Sequence, residues 1–308
     1  MTVPRQTVHV DSTTERRNPR TTEIDRMSTV ELLQMINAED QLVPHAVAAS
    51  IPELSRAVDA AAAALRAGHR VHYVGAGTSG RLATLDAAEL GPTYDVSSDW
   101  FVVHHAGGVK ALVNAAEGAE DDDVAGADAI IESAHAGDFV LGLTASGRTP
   151  YVLGALAAAH DLGATTALVS NNPKAVRTPD IDLMISIDTG PEAISGSTRM
   201  KAGSAQKQVL TAFSTAVMVK MGRTYSNLMV SMRATNAKLR GRSLRILREA
   251  TGMGHQECAA ALMEAHGDLK VAMVHLLSDV DVPRAARAVA EADGHVRSAL
   301  TLLEAHAV

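Results

Sequence analysis

Short apolar runs at residues 71–74, 100–103, 139–143, 166–169 and 183–187 recur along the chain, with helical patterns filling the intervals between them. Short runs of four or five residues rich in Val, Ile, Leu and Phe, without regular polar alternation, fit strands buried on both faces. Intervals long enough for a helix allow each strand to return parallel to the last. The spacing therefore predicts an α/β fold: a five-stranded parallel sheet flanked by helices. Such sheets hold ligands beyond the carboxyl ends of their strands, so the loops that begin at Gly75, Ala106, Thr144, Ser170 and Asp188 are where chemistry is expected.

The flanks of this region differ from it. Residues 1–20 are polar and lack apolar periodicity, as expected of a flexible N-terminal arm. Ser28 reads as a helix N-cap with Glu31 at the capping-box position, ahead of Leu32, Leu33 and Ile36. One helical run is expected over 43–67 and another over 199–221. After Arg242 only helical segments follow, punctuated by Gly252, Gly254 and Gly267. We accordingly divide the chain into the arm (1–20), a sheet-containing domain with N-terminal helices (21–242) and a C-terminal helical bundle (243–308).

Composition narrows the partners. Lys and Arg number 28 against 35 Asp and Glu, so a broad basic surface for nucleic acid is not expected. Aromatic residues make up only 3% of the chain, too few for base-stacking platforms, which leaves a small molecule as the expected ligand. No signal-peptide pattern opens the chain and its Ala-rich stretches are broken by charges, so a cytoplasmic location without membrane association is expected. Cys258 is the single cysteine, which excludes an intrachain disulfide and reads as a buried thiol.

The first strand runs into Gly75-Ala76-Gly77-Thr78-Ser79-Gly80-Arg81, which fits the dinucleotide pattern G-x-G-x-x-G. A nicotinamide site also wants an acidic residue at the tip of the second strand, and here that strand leads into His104-His105-Ala106-Gly107-Gly108. Nor does the loop end in the Gly-Lys-Ser/Thr of a nucleotide P-loop. Thr78 and Ser79 at a helix N-terminus suit a smaller phosphorylated ligand. Thr144 to Pro150, containing Ser146, forms a second turn of this type. The stretch from Ser195 to Lys201, with Ser197, Thr198 and Arg199, places hydroxyls and cations before the long helix. Together these turns point to recognition of phosphate and sugar hydroxyls.

Two carboxylates stand out as acid/base candidates. Leu82, Leu85 and Glu89 fall on one face of a helix over 81–90, which would bury Glu89 near the helix end before Gly91-Pro92. Val109, Leu112, Val113 and Ala116 form a similar stripe, on which Glu120 falls four residues later. The competing readings are an ion pair, such as one with Arg81, for Glu89, and a solvated acidic helix end for Glu120.

From about Thr13 onward the chain resembles the N-acetylmuramic acid 6-phosphate etherases, sugar isomerase (SIS) fold proteins related to the glucokinase regulatory protein. The resemblance rests on residues 22–29, 36–40, the first glycine loop through Arg81, 86–89, 117–121, 145–151, 190–192, 196–203 and 205–207. Leu90-Gly91 stands where the family usually has Cys-Pro, and Ser231 where Asp is expected. The resemblance implies that Glu89 is the proton donor and Glu120 a second catalytic carboxylate. It implies sugar phosphate held by Thr78, Ser79, Ser146, Ser197 and Thr198, a homodimer, and a C-terminal bundle of ubiquitin-associated type. It implies a carbon–oxygen lyase. Because the phosphate would be a handle and the histidines lack a paired motif such as H-E-x-x-H, neither metal nor cofactor is expected. The alternatives are a sugar-phosphate isomerase and a non-catalytic sugar-phosphate sensor on the same fold.

Overall fold

The computed structural model describes residues 12–114, 116–232 and 237–306. Of these, residues within Met1–Ala87 and Asp99–Phe213 form one compact unit, and those within Ala88–Ser98 and Ser214–Val308 a second.

The first unit is built on strands β1 (Val71–Gly75), β2 (Phe101–His105), β3 (Phe139–Thr144), β4 (Thr165–Ser170) and β5 (Leu183–Ser186). They pair wholly in parallel in the order β2-β1-β3-β4-β5. Strand side chains alternate between faces. On one face Tyr73 and Phe139 meet Phe213 at ring centroids 6.1 and 5.8 Å apart. On the other, Val74 and Val140 pack with Val152, Leu156 and Ile130. The order reverses at β1, whose neighbours β2 and β3 lie on opposite sides, so the loops after β1 and β3 diverge and open a crevice.

Before the sheet come α1 (Thr29–Asp40), α2 (Val43–Ala49) and α3 (Ile51–Arg66). Ser28 and Glu31 close a reciprocal capping box on α1. The single run expected over 43–67 is two helices, because Pro52 lacks an N–H and its ring collides with the carbonyl four residues back. α3 buries Leu54, Ala57, Val58, Ala61 and Leu65, spaced for one face. Residues 1–11 of the expected arm lie outside the described residues, and residues 12–20 are not an arm. Ser12, Thr14 and Asn18 are buried; the Thr14 carbonyl accepts from Gly196 N–H at 3.1 Å and the Glu15 carbonyl from Ser195 Oγ at 2.9 Å.

Helices α4 (Gly77–Tyr94), α5 (Lys110–Val113), α6 (Asp123–Ile131) and α7 (Pro150–Asp161) connect β1 to β4, and α8 (Lys201–Lys220) follows β5. The second unit contains a short hairpin, β6 (Thr224–Tyr225) and β7 (Leu228–Met229), turned through Ser226 at φ 51°. Helices α9 (Ala237–Thr251), α10 (His255–Glu264), α11 (Leu269–Ser278), α12 (Val282–Glu291) and α13 (Val296–Ala305) complete it. Its core includes Leu247, Met273, Val274, Ala285 and Cys258, the last fully buried as expected. Among the described residues, no helix is long and apolar enough to cross a membrane.

A buried polar chain crosses the sheet from the residue before β3, through β1, to β2. His72 Nε2 donates to Asp138 Oδ2 at 3.1 Å, and its Nδ1 is 3.0 Å from His104 Nε2. Asp138 also accepts the N–H groups of Arg70 and His135 at 2.8 and 2.7 Å, which fixes the neutral tautomers in this order. Burial, then the neighbouring His72, bring His104 down to about 4. The unfolded chain, with an ordinary His near 6.5, takes this proton first, so stability is intact above ~6.5 and lost as pH falls toward 4. Between pH 7.5 and 5 the unaltered protein should lose about 2 kcal/mol more than His104→Gln. Denaturant melts at the two pH values measure this; equal losses would show that His104 does not gate acid stability.

Candidate active site

The β1–α4 turn is shaped by contact between its own glycines. A Cβ on Gly80 would lie 2.6 Å from the Gly75 carbonyl oxygen and 2.6 Å from His105 Cδ2, so the helix can approach the strand only without side chains there. Gly77 has φ +53° with open space around its Cα, and starts α4. The first and last glycines of the dinucleotide-like pattern thus serve packing, and the middle one serves the turn. Ser79 is buried and Thr78 half-buried in the first turn, where helix amides have no intrahelical acceptors.

Glu120 faces a cavity of about 480 Å³ beside this turn, with Gly77, Arg81, His105, Ala106 and Glu117 among its walls. Arg81 makes the walls hold together. Its guanidinium donates to the carbonyls of Ala111, Leu112 and Asn114 at 2.8, 2.9 and 3.3 Å. The anticipated continuous helix to Glu120 does not form. α5 stops at Val113, Gly118 adopts φ 76°, and Glu120 sits in a separate 3-10 turn, Ala119–Asp121. Val109 and Val113 are 82% and 86% exposed, so no buried stripe holds a longer helix here. His105, seen in the sequence only as a missing carboxylate, also belongs to this site. Its Nδ1 donates to the Ala106 carbonyl at 2.8 Å, leaving the Nε2 lone pair buried and without a partner among the described residues.

Glu89 departs further from its expected setting. α4 continues through Pro92 to Tyr94, carried by burial of Leu90 and Tyr94 four residues apart, so Glu89 lies more than a turn inside the helix. Leu85 is 53% exposed and Glu89 is exposed too. The buried stripe is therefore absent, and so is the apolar setting expected of Glu89. Its competing ion pair with Arg81 is absent as well, since that guanidinium serves carbonyls. Glu89 falls in the second unit and Glu120 in the first.

Ser146 is organised by its own turn. Its Oγ accepts from Arg148 N–H at 3.2 Å and lies 3.3 Å from Thr144 Oγ1, which also meets Thr149 Oγ1 at 2.7 Å. Asn172 Nδ2 donates to the Ser146 carbonyl at 2.9 Å, tying this loop to the one after β4. Beside it Asn171 accepts from Gln206 Nε2 at 3.0 Å while its own Nδ2 is buried without a partner among the described residues. Neither asparagine stands out in the sequence, because their neighbours are distant along the chain.

The third cluster is anchored differently from expectation. Glu192 is buried, and its carboxylate accepts the N–H groups of Lys201 and Ala202 at 2.9 Å each, occupying the α8 N-terminus. Burial raises the Glu192 carboxyl, and those two amides oppose the rise. Lys201, expected as a cation for ligand, is 1% exposed and donates to Glu39 Oε2 at 2.6 Å. Burial alone would lift the Glu39 carboxyl, but Arg20, Lys201 and Asn18 hold it down at about 2. Ser197 and Thr198 remain half-buried on this fixed support. Thr78 and Leu82 share a second cavity, about 440 Å³, with Arg199, Gly203, Ser204 and Lys207.

The doubly wound parallel sheet, with hydroxyl-bearing turns at its switch point, is a sugar isomerase (SIS) fold: residues 53–160 match the glucokinase regulatory protein N-terminal SIS domain. The nearer relatives narrow this. A Thermobifida fusca (strain YX) protein named N-acetylmuramic acid 6-phosphate etherase is 56% identical over 270 residues, 87% of this chain and 88% of that one. Proteins of the same name from Serratia proteamaculans (strain 568) and Salmonella typhi are 48% and 47% identical, each over 93% of this chain and 97% of theirs. The chain belongs to the N-acetylmuramic acid 6-phosphate etherase family.

Proposed function

We propose that this protein cleaves the lactyl ether of N-acetylmuramic acid 6-phosphate, releasing D-lactate and leaving N-acetylglucosamine 6-phosphate. The observation that carries the reading is Glu120 facing a cavity beside an anion-suited helix turn, in a chain 47–56% identical to the etherases over most of its length. An alkyl ether has no good leaving group, so direct displacement at C3 is slow. The open-chain aldehyde acidifies the C2 proton and makes elimination accessible. One of Glu89 and Glu120 removes that proton, and Glu89 protonates the departing lactate oxygen. Water then adds at C3 of the unsaturated aldehyde. The reaction is that of a carbon–oxygen lyase, and the phosphate is a handle remote from the bonds that change.

Thr78, Ser79, Ser146, Ser197 and Thr198 hold the phosphate and sugar hydroxyls in this reading. The protein acts in the cytoplasm as a homodimer, in recycling of cell-wall sugar, and exposed Leu85, Val109 and Val113 offer apolar surface for a second copy. Incubation with N-acetylmuramic acid 6-phosphate and assay of free D-lactate tests the reading. An isomerase would turn over a sugar phosphate without lactate, and a sensor would bind without turnover. Ser146→Ala should raise KM about tenfold by removing one donor to phosphate, and the unphosphorylated sugar should be a poor substrate. Equal turnover of the two sugars would remove these turns from phosphate binding.

A further inference from the structure

The second unit has a cavity of its own, about 580 Å³, and none of its lining residues has a part in the chemistry above. Arg223, Ser231, His266, Asp268, Lys270 and Asp95 supply its polar walls. The volume falls within the range of small-molecule sites. Lys270 enters it from the first turn of α11. Asp268, next but one in sequence, does not pair with that ammonium: its Oδ1 accepts the N–H groups of Lys270 and Val271 at 2.9 and 3.0 Å as the α11 cap. No carboxylate lies within 4.0 Å of the Lys270 amine among the described residues. Burial, then the adjacent positive charge of Arg223, bring this amine down to about 8, with the charge of Asp268 opposing. Arg223 is lowered by burial and raised by Asp95. Ser231, 8% exposed, has a buried Oγ with no hydrogen-bond partner among the described residues. A buried hydroxyl without an acceptor and an ammonium desolvated beside a second cation are costly together. An oxyanion would take the hydroxyl donor of Ser231 and a charge-assisted bond from Lys270, with the charge of Arg223 adding to the attraction.

We infer that this cavity is a second anion site, separate from the reaction, that binds the phosphate group of a small phosphorylated molecule on Lys270, Arg223 and Ser231. Bound inorganic phosphate can be counted by equilibrium dialysis on the full-length protein, unaltered and as Ser231→Asp and Lys270→Met. Ser231→Asp fills the same place with a tethered carboxylate, so it should bind one phosphate fewer per chain while kcat for lactate release is unchanged. Lys270→Met should weaken that phosphate by at least ~10-fold. Whatever the sugar-phosphate turns bind is common to all three proteins and cancels in the comparison. Equal stoichiometry and affinity in the unaltered protein and Ser231→Asp would overturn the site, and that comparison decides alone if Lys270→Met does not fold.

Discussion

Replacing Glu120 by glutamine will cut D-lactate release by at least ~100-fold, the usual loss when a general acid or base is removed. The amide keeps the shape and the position in the 3-10 turn but cannot carry a proton between water and substrate. Glu120 is exposed to its cavity and no described side chain is paired with it, so the fold does not depend on its charge. Melting temperature should therefore stay within a degree or two of the unaltered protein, in keeping with a surface substitution. Glu89→Gln, equally exposed, should show the same division between lost turnover and retained stability. Near-normal kcat in either variant would remove that carboxylate from the mechanism, and a rise in KM alone would make it a binding group.

Glu39→Gln will have the opposite signature, destabilising the protein by about 3–5 kcal/mol. Its carboxylate, 2% exposed, accepts from Lys201, from Asn18 at 2.9 Å and from Arg20 at 2.5 and 2.9 Å. The amide would leave the Lys201 ammonium buried without its hydrogen-bonded counter-charge, and the cost of that isolation is what the loss measures. Lys201→Met in the same background removes the stranded charge and should recover much of the stability, giving a large coupling energy in the double-mutant cycle. With Glu39 at about 2, the pair persists to strongly acid pH, so the loss should hardly vary between pH 5 and 8. A loss below ~1 kcal/mol would mean that the support beneath Ser197 and Thr198 does not rest on this pair.

What was legible in the sequence followed from local periodicity. The five strands fall within two residues of the apolar runs, because strands buried on both faces tolerate no polar alternation. The capping box at Ser28 and the helices after Arg242 were legible for the same reason: each signal lies within one turn of what it specifies. Contacts that join distant segments were not. Glu39 and Lys201 are 162 positions apart, and His72, His104 and Asp138 converge from β1, β2 and the residue before β3. Each reads singly as an ordinary polar residue.

The candidate carboxylates mark another limit. Periodicity placed Glu89 and Glu120 on apolar stripes, yet both are exposed, and Gly118 breaks the helix on which the second stripe depended. A stripe can be filled by a neighbour or left bare, and the pattern alone does not distinguish the two. The turn Thr144–Pro150 forms where its residues place it, since its hydroxyls bond within seven residues of chain. His105 could have been recognised by one signal: a histidine at the carboxyl end of a parallel strand, where its ring lies against Gly80 of α4.

The proposed elimination is tested most directly by following isotopes from solvent into product. Cleavage of the C3–O bond with hydration places an oxygen from water on C3, and removal of the C2 proton lets solvent hydrogen return there. In H2-18O, N-acetylglucosamine 6-phosphate should carry the label at C3 while lactate keeps its original oxygen; in D2O, the product should carry deuterium at C2. Label on the lactate carbon with C2 hydrogen retained would contradict the account, and would assign Glu89 and Glu120 to a direct displacement instead.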